Sequence, residues 1–123
     1  MAIKLLLVDD DPDIRTLAVT VLARSREFEV QTAESGEQGL AIALETKPDL
    51  ILLDRRMPEW DGVTTFDRLR EAGLDTPVIF LTADASPTEI AEHHDLGALG
   101  TIRKPFQPGS LASQIKTFIE TLG

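Results

Sequence analysis

Short apolar segments alternate along the chain with segments in which apolar residues recur every three or four positions. An apolar segment of about four to eight residues is typical of a buried strand, whereas the longer recurrence is typical of one face of a helix. Ile14, Leu17 and Val21 begin the first helical stripe. The pattern predicts five strands and five helices in strict alternation. The predicted strands are residues 3–8, 28–32, 50–53, 77–82 and 99–102.

The first and fourth predicted helices are each preceded by a helix-start signal. Asp11 is a typical N-cap residue, and Pro12 suits the first helical position because its missing N–H would have had no partner there. Ser86 and Glu89 have the spacing of a capping box, in which the Ser hydroxyl accepts a hydrogen bond from the Glu N–H and the Glu carboxylate accepts one from the Ser N–H. These signals predict that the first and fourth helices begin at residues 12 and 87.

The alternation of strands and helices predicts a parallel sheet with right-handed crossovers and helices on both faces. Residues 28–32 alternate apolar and polar side chains, so this strand is expected at one edge, and the weak pattern at 99–102 at the other. Strand order 2-1-3-4-5 satisfies both conditions. The predicted fold class is α/β: a doubly wound five-stranded parallel sheet with five helices in three layers. Residues 1–123 are expected to form one domain.

Composition narrows the classes of protein to consider. The formal net charge is −9, from 21 acidic and 12 basic residues, and such a surface repels nucleic-acid backbones. The absence of cysteine excludes disulfides and thiolate chemistry. No apolar run approaches the roughly 18 residues of a membrane span, and the N-terminus lacks signal-peptide features. We therefore expect a cytoplasmic protein that binds neither membranes nor nucleic acid directly.

Chemically active side chains follow four of the predicted strands. Asp9 and Asp10 follow the first strand, Asp54 the third and Lys104 the fifth, and Thr82 ends the fourth. In a sheet of this order, ligands bind beyond the carboxyl ends of the strands, where the strand order reverses. Neighbouring carboxylates resist joint ionisation unless a cation lies between them, and Mg²⁺ binds through a few carboxylates and phosphate oxygens. Each residue alone has an ordinary structural explanation, but their convergence predicts a cation and oxyanion site.

Four sequence motifs resemble those of the response regulator receiver family of two-component signalling. The motifs are Val8-Asp9-Asp10, residues 52–62 (LLDRRMPEWDG), Leu81-Thr82-Ala83 and Lys104-Pro105-Phe106. They occur in the family's order and at its spacing along the whole chain. The resemblance implies a flavodoxin-like fold, as in chemotaxis regulators, and a single receiver domain.

The resemblance also implies a role for each matching residue. Asp54 would be the phosphoacceptor. Mg²⁺, for which Mn²⁺ could substitute, would be held by Asp9, Asp10, Asp54 and the backbone carbonyl of Arg56. The phosphoryl oxygens would be contacted by Thr82 and Lys104, and the bond between Lys104 and Pro105 would be cis.

The implied activity is transfer of a phosphoryl group from a phosphohistidine donor, without turnover on a free substrate. The donor would be a histidine kinase or a phosphotransfer protein. An unidentified downstream protein would bind the face formed by helix 4, strand 5 and helix 5. The chain could act alone, as in a phosphorelay, or could be a receiver taken from a larger regulator or hybrid kinase.

Several positions depart from the family pattern or leave alternatives open. Thr101 stands where the family has Tyr or Phe, three residues before the lysine, so an atypical switch is expected there. Arg56 and Asp84 flank the expected phosphorylation site and either pair across its mouth or are solvated. His93 and His94 are expected on a solvated helix face rather than in a metal site.

Two other classes of protein share part of the first motif. Asp9 and Asp11 after an apolar strand also resemble haloacid-dehalogenase-like phosphatases, but Asp13 stands where that class has Thr or Val. A calcium loop starting at Asp9 would need Gly at the sixth position and Glu at the twelfth, where Ile14 and Thr20 stand. The calcium loop is excluded, and the phosphatase is retained as an alternative.

Overall fold

The computed structural model describes residues 2–122 and contains the predicted alternation of five strands and five helices. The elements are β1 Ile3–Val8, α1 Pro12–Ala23, β2 Phe28–Ala33, α2 Gly36–Thr46, β3 Leu50–Asp54, α3 Gly62–Glu71, β4 Val78–Thr82, α4 Pro87–Leu96, β5 Gly100–Arg103 and α5 Leu111–Glu120.

The strands form one parallel sheet in the order β2-β1-β3-β4-β5, which confirms the predicted topology. Strands β3 and β4 are buried along their whole length, whereas in β2 Phe28 is buried and Glu29 and Gln31 are exposed. The amphipathic and weak strands thus lie at the two edges because only central strands are covered on both faces.

Successive side chains of the sheet pack into two separate cores, because side chains alternate between the faces of a strand. Leu5 and Leu7 of β1 belong to one core, together with residues of α1 and α5. Leu6 and Val8 belong to the other, together with residues of α2 and α3. Full burial of each such side chain stabilises the fold by about 1.5–3 kcal/mol. The two cores hold the sheet rigidly between its helical layers.

The helix starts agree with the sequence signals, with one difference at α4. The Asp11 carboxylate accepts a hydrogen bond from the Asp13 N–H at 2.9 Å, and the Ser86 hydroxyl accepts one from the Glu89 N–H at 3.2 Å. The second half of the predicted capping box is wrong, because the Glu89 carboxylate is buried and bonded to Thr82. A buried acceptor with charged partners is a stronger interaction than a solvated cap.

Two strand boundaries differ from the prediction in ways that affect the site. Strand β3 continues to Asp54, which pairs with Leu81 of β4 in the sheet register. Strand β5 begins at Gly100 and ends at Arg103, one residue later than predicted at each end. Asp54 is therefore fixed by the sheet ladder itself and not by a loop. Within residues 2–122 no helix is both long and apolar enough to cross a bilayer.

Gly62, at the start of α3, packs directly against the end of β3. A Cβ atom at this position would lie 2.5 Å from the Asp54 carbonyl oxygen and 2.8 Å from the Arg55 Cα. We predict that Gly62→Ala lowers the free energy of unfolding by about 1–3 kcal/mol, because the overlapping atoms belong to backbone. Urea denaturation measures the change. The matched control is Gly109→Ala, where a Cβ would meet nothing within 4 Å, and an equal loss there would contradict the steric explanation.

Candidate functional site

Three carboxylates meet at the carboxyl end of the sheet. Asp9 follows β1 and is fully buried, Asp54 ends β3 and is 3% exposed, and Asp10 is exposed. Each offers a ligand atom, and these atoms all lie within 4.8 Å of one another. The structure therefore brings together the three aspartates that the sequence singled out.

Lys104 provides a cation at this cluster. Its Nζ lies 3.0 Å from Asp9 Oδ2 and 3.0 Å from Asp54 Oδ1. The residue follows β5 and is positioned by its backbone N–H, which donates to the Thr82 carbonyl oxygen at 2.7 Å, and its peptide bond to Pro105 is cis. Burial acts to lower the pKa of Lys104, but the hydrogen bonds to Asp9 and Asp54 outweigh it and raise the pKa. Lys104 is thus a permanent ammonium that bridges two strand ends.

The pKa of the Asp54 carboxyl group is raised well above its ordinary value. Burial is the main cause that raises its pKa from 3.8 to about 7, and repulsion from Asp9 adds to it. The hydrogen bond and charge of Lys104 oppose this rise, as does the N–H of Arg56, which donates to Asp54 Oδ1 at 3.3 Å. A nearby divalent cation would favour the ionised form, so the electrostatics of the cluster suit a metal ion.

Asp9 is oriented by the turn that leads into α1. Its Oδ1 accepts a hydrogen bond from the Asp11 N–H at 3.0 Å, and its carbonyl oxygen accepts one from the Arg15 guanidinium at 2.8 Å. Asp11 itself caps α1, as predicted. The buried Asp9 carboxylate is therefore held through Oδ1 by the turn and through Oδ2 by Lys104.

Thr82, at the end of β4, faces a buried carboxylate that the sequence analysis did not predict. Its Oγ1 lies 3.2 Å from Glu89 Oε2, and Glu89 is 5% exposed. Glu89 Oε1 accepts a hydrogen bond from Arg56 Nη2 at 3.0 Å and lies 3.4 Å from Arg55 Nε. Among the described residues Arg56 pairs with Glu89 and not with Asp84, because α4 carries its buried carboxylate directly beneath the guanidinium.

The expectation of a solvated histidine pair is wrong for His93 and correct for His94. His93 is 1% exposed and stacks on Phe80, with ring centroids 4.3 Å apart, whereas His94 is exposed. The His93 Nδ1 lies 2.7 Å from Thr101 Oγ1. Burial lowers the pKa of His93, which keeps the imidazole neutral. Thr101, the atypical position, is therefore the hydrogen-bond partner of a buried ring.

The sequence of α4 itself indicates that the helix turns polar side chains, and not an apolar stripe, toward the sheet. The only large apolar residues of α4 are Ile90 and Leu96, which do not form a stripe and are 43% and 37% exposed. Glu89 and His93 are four residues apart and therefore lie on one face of the helix. A helix without an apolar stripe that packs against the buried strand β4 must turn a polar face inward.

Comparisons with known proteins agree with this geometry. The family profile described as the response regulator receiver domain matches residues 5–116. The transcriptional regulatory protein DltR of Streptococcus agalactiae is 38% identical over 113 residues, 92% of this chain and 50% of that protein. The transcriptional regulatory protein SrrA of Staphylococcus aureus is 36% identical over 119 residues, 97% of this chain and 48% of that protein. The chain thus spans about half the length of the curated relatives it matches.

Solved structures of this architecture are also similar. The chemotaxis protein CheY4 of Vibrio cholerae has a TM-score of 0.88 and 32% sequence identity, over 96% of this chain and 99% of that one. The beryllofluoride-activated DrrB receiver domain has a TM-score of 0.81 and 28% identity, over 98% and 99% of the two chains. The family match decides against the phosphatase alternative. The chain belongs to the response regulator receiver domain family of two-component signalling.

Proposed function

We propose that the chain is a switch that accepts a phosphoryl group on Asp54 from a phosphohistidine of a histidine kinase or phosphotransfer protein. The bridge from Lys104 to Asp9 and Asp54, at 3.0 Å each, is the observation that carries the proposal. An oxygen of the ionised Asp54 carboxylate attacks phosphorus, the bond from phosphorus to the imidazole nitrogen breaks, and the histidine keeps the electron pair. Lys104 offsets the repulsion between the two anions, which is the main barrier to their approach.

Asp9, Asp10, Asp54 and the backbone carbonyl of Arg56 are the proposed ligands of Mg²⁺, or of Mn²⁺ in its place. Oxygen donors are the ligands that these hard cations prefer, and the three carboxylates already lie within 4.8 Å of one another. When bound, the ion would supply positive charge opposite the phosphoryl oxygens. Thr82 and Lys104 are the proposed donors to the remaining phosphoryl oxygens. Donation of these hydrogen bonds does not require turnover on a free substrate. The protein is therefore proposed to be a switch and not a conventional enzyme.

The proposed output is binding of a downstream protein to the face formed by α4, β5 and α5. A groove there, of about 270 Å³, is lined by Ile90, His94, Leu99, Thr101 and Phe118 among others.

Residues 1–123 are proposed to be one receiver domain, either independent or part of a larger regulator or hybrid kinase. Its net charge of −9 argues against direct nucleic-acid binding. The proposed location of the protein is the cytoplasm, where ATP is available to a histidine kinase.

Phosphorylation should occur on one residue and require a divalent cation. We predict that acetyl phosphate with Mg²⁺ adds one phosphoryl group to the wild type and none to Asp54→Asn, because the amide is not a nucleophile. Intact-mass spectrometry and mapping of the labelled peptide measure the outcome. Labelling that is equal in the variant, or that persists in EDTA, would contradict the proposal.

Mg²⁺ should stabilise the folded protein, because a ligand that binds only the native state shifts the equilibrium toward it. We predict that saturating Mg²⁺ raises the free energy of unfolding by roughly 1–3 kcal/mol. Asp10→Asn should stabilise the metal-free protein, because it removes a charge from the cluster, and should weaken the response to Mg²⁺. Thermal melts measure both effects. Asp13→Asn is the matched control outside the cluster, and a response to Mg²⁺ unchanged by Asp10→Asn would refute the ligand assignment.

The stability of the metal-free protein should depend on the ionisation of Asp54. The pKa of Asp54 is raised from 3.8 to about 7, so between these values the folded state binds more protons than the unfolded state. This contribution to stability is fully present below pH 3.8 and is lost as the pH rises through about 7. We predict that wild type in EDTA loses on the order of 1–3 kcal/mol relative to Asp54→Asn between about pH 5 and about pH 8. Urea denaturation across this range tests it, and parallel curves would contradict it.

A further inference from the structure

The Thr82 hydroxyl is already engaged with Glu89. A hydroxyl has one proton to donate, and the closest charged acceptor is Glu89 Oε2 at 3.2 Å. Thr82 Oγ1 also accepts a hydrogen bond from the Asp84 N–H at 3.1 Å, which fixes its rotamer. A carboxylate is a stronger acceptor than the alternative, the Asp84 carbonyl oxygen at 3.4 Å. Thr82 can therefore donate to a phosphoryl oxygen on Asp54 only after it leaves Glu89.

Near Glu89 lies a buried imidazole nitrogen, His93 Nε2, without a hydrogen-bond partner among the described residues. The His93 Nε2 is buried, makes no hydrogen bond within the described part of the chain and lies 4.0 Å from Glu89 Oε1. The Nδ1 of the same ring contacts the Thr101 hydroxyl at 2.7 Å. A carboxylate near Nε2 favours the tautomer that carries its proton there, so that Nδ1 accepts from Thr101. The ring then carries an unused N–H whose nitrogen lies 4.0 Å from the carboxylate that accepts the hydrogen bond of Thr82.

We propose that Glu89 is a positioning residue with two alternative partners, Thr82 before phosphorylation and His93 after it. This inference rests on the proposed function, since the phosphoryl group on Asp54 is what draws the Thr82 hydroxyl away. The Glu89 carboxylate, once released, closes the remaining gap to the His93 Nε2–H. The buried donor is satisfied only in the phosphorylated state, so its bond offsets part of the loss of the bond to Thr82.

The surrounding charges allow this exchange without leaving Glu89 unpaired. The Arg55 and Arg56 side chains both contact Oε1, whereas Thr82 contacts Oε2. The carboxylate can thus lose its bond to Thr82 and keep its cationic partners, which avoids an uncompensated buried charge. Because the His93 ring is bonded to Thr101 in β5, a change at Glu89 is transmitted to the face of α4 and β5. The exchange thus couples Thr101 to the phosphorylation site through His93, although Thr101 lacks the aromatic side chain that the family has at this position.

A double-mutant cycle tests the role of Glu89, with beryllofluoride and Mg²⁺ as the phosphoryl mimic. Binding is titrated by NMR on the whole chain for the wild type, Glu89→Gln, Thr82→Ala and the double variant. Glu89→Gln keeps the size of the side chain but weakens the bond to Thr82, so we expect beryllofluoride to bind about three to ten times more tightly. In the Thr82→Ala background the same substitution should change affinity by less than about twofold. The matched control is Glu92→Gln, an exposed carboxylate of α4, which should also change affinity by less than about twofold.

Equal effects of Glu89→Gln in the two backgrounds, or no effect in either, would overturn the inference. Either result would leave the proposed function intact provided that wild type binds the mimic and Asp54→Asn does not. Failure of the wild type to bind the mimic would instead overturn the proposed function, and this inference with it.

A second measurement needs no variant. Nitrogen-15 NMR of the His93 ring in the wild type should show a proton on Nε2 before the mimic is added. Beryllofluoride should move that proton signal downfield and slow its exchange with solvent, because a hydrogen bond to a carboxylate forms. A ring protonated on Nδ1, or an Nε2–H signal unchanged by the mimic, would overturn the exchange of partners at His93.

Discussion

The contact of the Lys104 ammonium with two buried carboxylates is the interaction on which the site depends. Asp9 and Asp54 repel one another at the ends of neighbouring strands, and burial raises the pKa of Asp54 to about 7. Lys104 joins them with two contacts of 3.0 Å. A buried charge cluster of this kind is tolerated only when each member has a partner. The same arrangement prepares the site for a cation and an incoming phosphoryl group, because both replace or supplement this compensation.

The doubly wound sheet makes this contact possible between distant parts of the chain. Asp9 follows β1, Asp54 ends β3 and Lys104 follows β5, and parallel strands bring their carboxyl ends to one edge. Gly62 lets α3 start directly against the end of β3, where any Cβ would meet backbone. Two cores of branched apolar side chains hold the strand ends in place, so the acidic groups cannot relax apart.

Helix α4 joins the site to the face on which a partner is proposed to bind. Its inner surface is polar: Glu89 is hydrogen-bonded to Thr82 and Arg56 and forms an ion pair with Arg55, and His93 stacks on Phe80 and is hydrogen-bonded to Thr101. Polar networks in a low-dielectric interior have discrete arrangements, because partly satisfied intermediates are costly. A network in which two buried nitrogens, Arg55 Nε and His93 Nε2, lack a hydrogen bond within residues 2–122 therefore suits a two-state element that a phosphoryl group could bias.

The sequence alone determined the strand order and the convergence of Asp9, Asp10, Asp54 and Lys104, because hydrophobic periodicity specifies which face of each element is buried. It could not determine the direction of polar side chains on α4, since Glu89 fits a helix cap and a buried ion pair equally well by spacing. That choice was made by tertiary structure: α4 lies over β4 and β5, and Arg55, Arg56 and Thr82 there offer Glu89 stronger partners than solvent does. His93 is buried for the same reason, because Phe80 and Thr101 come within its reach only when the sheet has formed.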